Sequence, residues 1–262
     1  MKTVKQSVSL EYITPNAAEL IEHAGRTCYK SENKITPTSA HEFVEMVKHR
    51  GHHSVIEHPY ASFRVITNRG VSHEFVRHRL FSYSQESTRY CNYSKKKFGK
   101  EITVIEPPGL DEFTYAIWKQ SVEKAEQSYF ELLDGWGDKY PGVPPQIARS
   151  VLPICLKTEF VATANFREWR HFIRLRTAPA AHPEMREVAT WIRDTLIEHC
   201  PVVFSDLLDL RTTDQKVDEF KKELLALRTQ EHNAVPDETI GDGSVATIDT
   251  VLKMMEETFR RK

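Results

Sequence analysis

Residues 77–90 read Arg-His-Arg-Leu-Phe-Ser-Tyr-Ser-Gln-Glu-Ser-Thr-Arg-Tyr. The stretch concentrates guanidinium, hydroxyl and amide donors, the groups that grip phosphate oxygens, sugar hydroxyls and amide edges. A second block, Arg167, Arg170, His171 and Arg174, recurs at i, i+3, i+4 and i+7, which places all four on one face of a helix. Cations so arranged repel one another unless an anion, an acidic partner or screening water lies over them. Arg176 belongs to another face, or to the chain beyond the helix, and has a separate job. Neither segment contains Lys: residues 64–89 hold five Arg against Glu74 and Glu86, and residues 165–176 hold four Arg against Glu168. Arg without Lys suits planar, bidentate capture of phosphate or carboxylate. A solvated basic face would carry the same charge, but the aromatic and hydroxyl residues interleaved in both segments favour a site for anionic ligands.

The elements that must position these groups follow from periodicity. Residues 4–12 alternate weakly, as an edge strand does. Ala17, Leu20, Ile21, Ala24 and Cys28 fall at helical spacing within 16–28, and Phe43, Met46 and Val47 do so within 38–50, with Gly51 as a stop. Residues 60–67 predict a strand with Ala61, Phe63 and Val65 on one face. A helix over 70–80 would turn Val71 and Phe75 inward and send Arg77 and Arg79 to nearly opposite sides. Residues 81–90 read as a polar, hydroxyl-rich loop. A short strand at 102–105, a long amphipathic helix over 111–133 and a turn region at 135–145 follow. A short helix over 146–152 stops at Pro153. A strand over 158–164 leads to Asn165, a good N-cap for a helix over 165–175, and a periodic helix spans 184–200. Residues 212–262 are mostly charged, with helical stripes through Val217–Leu227 and Ile248–Phe259. The expectation is an α+β fold: a mixed sheet packed with several helices in one catalytic domain, residues 1–211, and a helical C-terminal extension, residues 212–262.

Composition removes several function classes. The 262 residues carry 36 Lys plus Arg against 37 Asp plus Glu, a net charge of −1, which argues against wholesale nucleic-acid binding. No apolar run approaches the roughly 20 residues needed to span a bilayer. The first residues have no apolar signal region, and the four Cys (28, 91, 155, 200) form no C-x-x-C pair, so the expectation is a cytoplasmic chain with reduced thiols. His73-Glu74 and His78 superficially resemble a zinc-binding helix. The two His are five apart where the motif needs four, so no metal is expected. Glycine-rich phosphate cradles of the G-x-G-x-x-G and G-x-x-x-x-G-K-[ST] kinds are absent, and a nucleotide would have to be held by side chains.

Arg77-His78-Arg79, followed after seven residues by Ser87, resembles the signature of the flavin-dependent thymidylate synthases. Gly51-His52-His53-Ser54-Val55-Ile56-Glu57-His58 is similar to that family's upstream flavin segment. Residues 148–153 (Ala-Arg-Ser-Val-Leu-Pro) are similar to its nucleotide-binding helix, and residues 165–176 to its late Asn/Arg/Arg block. The blocks occur in the same order over about residues 10–210. The resemblance implies reductive methylation of dUMP to dTMP, with methylenetetrahydrofolate as methylene donor and NADPH reducing a bound FAD. It also implies a homotetramer with active sites shared between chains. It marks Ser54, Glu57, Arg77, His78, Arg79, Gln85, Asn165, Arg167 and His171 as flavin contacts. It marks Glu74, Arg77, Gln85, Glu86, Ser87, Thr88, Arg89, Arg149 and Arg176 as dUMP contacts, with Arg176 the activating, catalytic arginine. Four positions depart from the pattern. Glu74 stands where Gln is usual, Gln85 where many members have Glu, and Thr88 where Gly is common. Ala180 stands where some members place a His, with His182 two residues on. Cys155 lies outside the Pro-Cys-His context of the cysteine-dependent synthases and reads as a packing residue.

Overall fold

The computed structural model describes residues 1–209, and Met1–Leu208 form one compact unit. The stripes expected over 212–262 lie outside the described residues. The architecture is α+β. Strands β1 (Lys2–Val4), β2 (Ser7–Ile13), β3 (Tyr60–Asn68), β4 (Ser82–Gln85), β5 (Thr103–Ile105) and β6 (Lys157–Asn165) form two sheets. One is antiparallel with the order β2-β3-β6-β4; the other is the parallel pair β1-β5. Parallel and antiparallel pairings thus both occur, each in its own sheet, within the expected α+β architecture.

Strict alternation builds the larger sheet. Ala61, Phe63 and Val65 of β3 lie opposite Ala164, Ala162 and Phe160 of β6, and all six are buried on one face. Helices α1 (Ala17–Thr27), α2 (Ser39–His49), α3 (Arg69–Phe75), α6 (Phe166–Arg176) and α7 (Pro183–His199) contribute to the core on that face. The other face is charged: Arg64 pairs with Glu11 and Glu159, and Lys157 pairs with Glu159 and Glu86. A second, smaller core joins α4 (Glu112–Asp134), α5 (Pro145–Ala148) and β5 through Val122, Tyr129, Ala148 and Val104. Asp111 caps α4 reciprocally with Thr114, which explains its firm start.

Two expectations change, and both bear on the site. Helix α3 ends at Phe75, not near residue 80, so Arg77 and Arg79 sit on chain beyond it. The Tyr83 hydroxyl shares its proton between the carbonyls of Phe75 and His78, which also accept the His78 and Phe81 backbone N–H groups in the turns that follow the helix. Residues 82–85 are a strand, not a loop. Phe81 and Tyr83 turn inward against Trp169 and Phe160 while Ser82 and Ser84 face out, an alternation hidden under a hydroxyl-rich composition.

Candidate active site

The junction of β6 and α6 organises the first half of the site. Asn165 ends the strand, and its Oδ1 accepts the Glu168 backbone N–H at 2.8 Å, which starts the helix. Trp169, Phe172 and Ile173 are buried, so Arg167, His171 and Arg174 emerge on the opposite side. A cavity of about 680 Å³ there is lined by Glu57, Leu80, Asn165, Arg167 and His171, among others. Four of the nine expected flavin residues, Glu57, Asn165, Arg167 and His171, thus share one basic cavity. Ser54 is exposed on the short helical turn His53–Glu57, which also contributes to it. Arg167 donates to Glu57 Oε1 at 2.6 Å.

Arg170 does not join this cationic face as an exposed group. Its guanidinium is buried and meets Asp206 with two nitrogens, at 2.7 and 2.5 Å, and also donates to the Val203 carbonyl. Arg174 lies 3.6 Å and Lys48 3.3 Å from the same carboxylate. The acidic partner that the charge pattern called for is therefore partly internal. Burial alone would raise the Asp206 carboxyl, but the Arg170 and Lys48 charges outweigh it and hold it at about 2, below the ordinary 3.8. A depressed carboxyl contributes stability that is complete above its unfolded value and lost as pH falls through its folded value. Asp206→Asn is expected to lower the melting temperature at neutral pH. Its deficit against the natural chain should shrink as pH falls from about 3.8 to about 2. A deficit constant across that window in thermal melts would contradict the pairing.

The second half of the site is a polar chain behind the cavity. Arg176, at the end of α6, donates from Nε to His78 Nε2 at 3.0 Å. It also donates to Glu74 Oε2 at 2.7 Å and to the Glu74 carbonyl at 3.1 Å. Glu74, the departure from Gln, thus holds the arginine by an ion pair. His78 is buried among Phe81, Phe172 and His171, and Arg77 and Arg79 on either side of it are exposed. Burial first, then the Arg176 and His171 charges, push the His78 imidazole down to about 4, so it is neutral at physiological pH. Potential ligand atoms of His78, Glu168 and His171 lie within 4.8 Å of one another. His78 Nε2 is nevertheless taken by a guanidinium, which opposes a cation at that nitrogen. His73 is exposed and His78 buried, so those two do not share a face.

The hydroxyl-rich stretch beyond β4 meets α5 and the turn after it. Arg149 donates to Thr88 Oγ1 at 3.2 Å, Arg89 Nε donates to Gln146 Oε1 at 3.2 Å, and the Arg89 N–H donates to Ser87 Oγ at 3.3 Å. Ser87, Thr88, Arg89 and Arg149 therefore form one donor cluster. Gln85 and Glu86 are engaged otherwise. Gln85 Nε2 donates to Thr158 Oγ1 at 3.0 Å; the Glu86 carboxylate accepts from Tyr93 and from Lys157, both at 2.9 Å. His182 shares a cavity of about 630 Å³ with Glu74 and Cys155. Burial raises the Cys155 thiol, which disfavours a nucleophilic thiolate there. Two site-supporting residues escaped sequence reading. Glu168 could have been flagged as the only acid in an arginine block. Asp206 lies 36 residues from Arg170 and carries no local signal.

A family model described as "Thymidylate synthase complementing protein" matches residues 9–202. Relatives named flavin-dependent thymidylate synthase include one from Mycobacterium sp. (strain JLS), 35% identical over 222 residues, covering 78% of this chain and 85% of the relative. Another, from Mycobacterium avium (strain 104), is 36% identical over 201 residues, covering 71% and 78% respectively. The crystal structure of a UMP/dUMP methylase, PolB, from Streptomyces cacaoi bound with 5-Br dUMP superposes with a TM-score of 0.65 at 22% identity, covering 78% of this chain and 96% of that one, a likeness of fold. With the family model spanning both arginine blocks and the strands that carry them, the chain belongs to the thymidylate synthase complementing protein family, that of the flavin-dependent thymidylate synthases.

Proposed function

We propose that this protein is a flavin-dependent thymidylate synthase, a methyltransferase that converts dUMP to dTMP with methylenetetrahydrofolate as carbon donor and NADPH as reductant. The observation that carries the reading is the placement of Arg176. It is fixed at one end of the arginine helix between Glu74 and His78, while Arg167 and His171 of the same helix open into the basic cavity. The family membership and the names of the relatives support it.

The donor set fits FAD. Arg167, His171 and the Asn165 amide in a basic cavity suit a pyrophosphate-bearing ligand, and Ser54, Glu57, Arg77 and Arg79 complete the set we assign. His78 supports that cavity from behind rather than from its surface. When bound, the flavin supplies the hydride chemistry. The chain's own contribution is charge placed in advance. Three of the five guanidinium N–H groups of Arg176 are used by His78 and Glu74 among the described residues, which leaves two for a ligand. A planar pair of donors matches the N3 and carbonyl edge of a uracil and stabilises the negative charge that grows there when the N3 proton leaves. Ser87, Thr88, Arg89 and Arg149 are the donors we assign to the rest of the nucleotide, its phosphate above all. Glu86 is engaged by Lys157 and Tyr93, and its carboxylate, an acceptor only, offers nothing to a phosphate.

We also read the chain as a cytoplasmic homotetramer, with residues 1–211 catalytic and 212–262 an appended extension. Large apolar side chains left exposed beside the site, Leu80, Tyr90, Ile147 and Ile154, support association of chains there. No described helix is long and apolar enough to cross a membrane.

The reading is tested by product analysis. With FAD, NADPH, dUMP and methylenetetrahydrofolate, the full chain is expected to make dTMP and tetrahydrofolate in equal amounts. Dihydrofolate as the folate product would mean that folate supplied the hydride, and would overturn the role given to the flavin. Arg167→Ala is expected to raise the FAD dissociation constant by roughly tenfold or more, as loss of a charge-assisted hydrogen bond does. Titration of flavin fluorescence measures this, and unchanged affinity would remove Arg167 from the flavin set.

A further inference from the structure

Glu168 is a buried carboxylate in the first turn of α6, 8% exposed, and none of the ligand contacts assigned above uses it. Its Oε1 lies 3.7 Å from His78 Nδ1. The other ring nitrogen of His78, Nε2, accepts from Arg176 Nε at 3.0 Å. A guanidinium keeps its protons, so Nε2 must be the bare nitrogen, and a neutral imidazole then carries its proton on Nδ1, the side facing Glu168. Carboxylate, imidazole and guanidinium thus stand in line, with Glu74 gripping Arg176 from beyond.

Each link has a consequence for the next. Without an acceptor near Nδ1, only the Arg176 contact would hold the proton there, and the alternative Nε2–H tautomer would point a donor at a donor. The His78 ring is packed edge-on against Phe81 and Phe172, at 5.8 and 5.0 Å between centroids, and cannot easily turn away from that clash. Arg176 would then keep only its Glu74 contacts and lose one of the two directions that fix its plane.

We infer that Glu168 is a positioning residue: it holds His78 in the Nδ1–H tautomer so that Nε2 aims the Arg176 guanidinium. The inference rests on the reading of Arg176 as the group that faces the substrate. Glu168 also borders the cavity that Arg167 and His171 line, but the role inferred for it acts through His78. By analogy with the outer-shell partners that orient metal-ligating imidazoles, worth roughly 10–100-fold in affinity or activity, an effect of that order is expected.

The test combines a tautomer measurement with kinetics on the full chain. In the natural protein, the ¹⁵N NMR signals of His78 are expected to show a protonated Nδ1 and a bare Nε2. In Glu168→Ala that assignment should be lost or mixed, and kcat should fall by about tenfold or more with flavin content unchanged. Glu168→Gln is close in shape and keeps an acceptor oxygen beside Nδ1–H, so it should restore most of kcat and the tautomer. A purely structural role would move thermal stability but neither the tautomer nor the contrast between Ala and Gln. An Nε2–H imidazole in the natural chain, wild-type kcat in Glu168→Ala, or an equal loss in Glu168→Gln would each overturn the inference. Arg176→Ala run alongside separates the two readings. Full turnover in that variant would remove the catalytic role of Arg176, while the tautomer shift would still report whether Glu168 governs His78.

Discussion

Replacing Arg176 with Ala is expected to lower the rate of dUMP methylation by about 10²–10³-fold, the scale of losing one preorganised charge donor. The residue is partly buried, and its three hydrogen bonds are spent on fixing its direction rather than on holding the core together. Its removal leaves a polar gap at the end of α6, so the melting temperature should change little. The Glu74 carboxylate then loses its cation and faces the same space. That adds repulsion toward an anionic nucleotide, and the KM for dUMP should rise as kcat falls. Arg176→Lys is expected to recover little, because an ammonium cannot bond His78 and Glu74 together while offering a planar pair of donors. Steady-state kinetics, with flavin content measured in parallel, decide the matter. A near-wild-type kcat in Arg176→Ala at full flavin occupancy would remove the residue from the chemistry.

The largest effect on folding is expected at Trp169. Its indole is fully buried, with Nε1 donating to the Ala61 carbonyl at 2.9 Å. Phe63, Phe81 and Phe172 stand edge-on to it at 5.1, 4.5 and 5.5 Å between centroids. Trp169→Ala should cost about 3–5 kcal/mol, from lost contacts and from the cavity left behind. For a unit of this size that is a fall of roughly 6–20 °C in melting temperature. Trp169→Phe keeps most of the volume and sacrifices chiefly the hydrogen bond, so its cost should be about 1–3 kcal/mol. Because Trp169 packs behind Arg167, Arg170 and His171 on the same helix, the Ala variant should also lose flavin. A stability change within about 0.5 kcal/mol would contradict the placement of this side chain at the centre of the core.

What could be read from the sequence was what depends on near neighbours. Alternation over residues 60–67 and 158–164 marks the two central strands, because one face of each is buried. Asn165 announces the helix that follows by its capping chemistry, and the spacing of Arg167 and His171 places them on one side of it. The same rules failed where a distant partner decides. Helix α3 gives way after Phe75 to turns that the Tyr83 hydroxyl, on strand β4, braces at the carbonyls of Phe75 and His78. Arg170 has the spacing of an exposed cation, yet it is buried because Asp206 returns from the far end of the described chain to meet it. Glu168, in a first helical turn, looks like an exposed acid favoured by the helix dipole. Its burial against His78 follows from strand β4 drawing the preceding turn onto α6. The convergence of His78, Glu74 and Arg176 belongs to the same class: local chemistry names the groups, and tertiary packing sets which of them meet.

The central claim is that the arginine helix joins a flavin cavity to a uracil-activating guanidinium. The most direct test is the visible spectrum of the purified full chain after reconstitution with FAD. The account predicts a yellow protein whose flavin absorbance is bleached by NADPH without air. The absorbance should return only when dUMP and methylenetetrahydrofolate are both added, with one dTMP formed per flavin reoxidised. A protein that takes up no FAD, or whose reduced flavin is indifferent to dUMP and folate together, would contradict it.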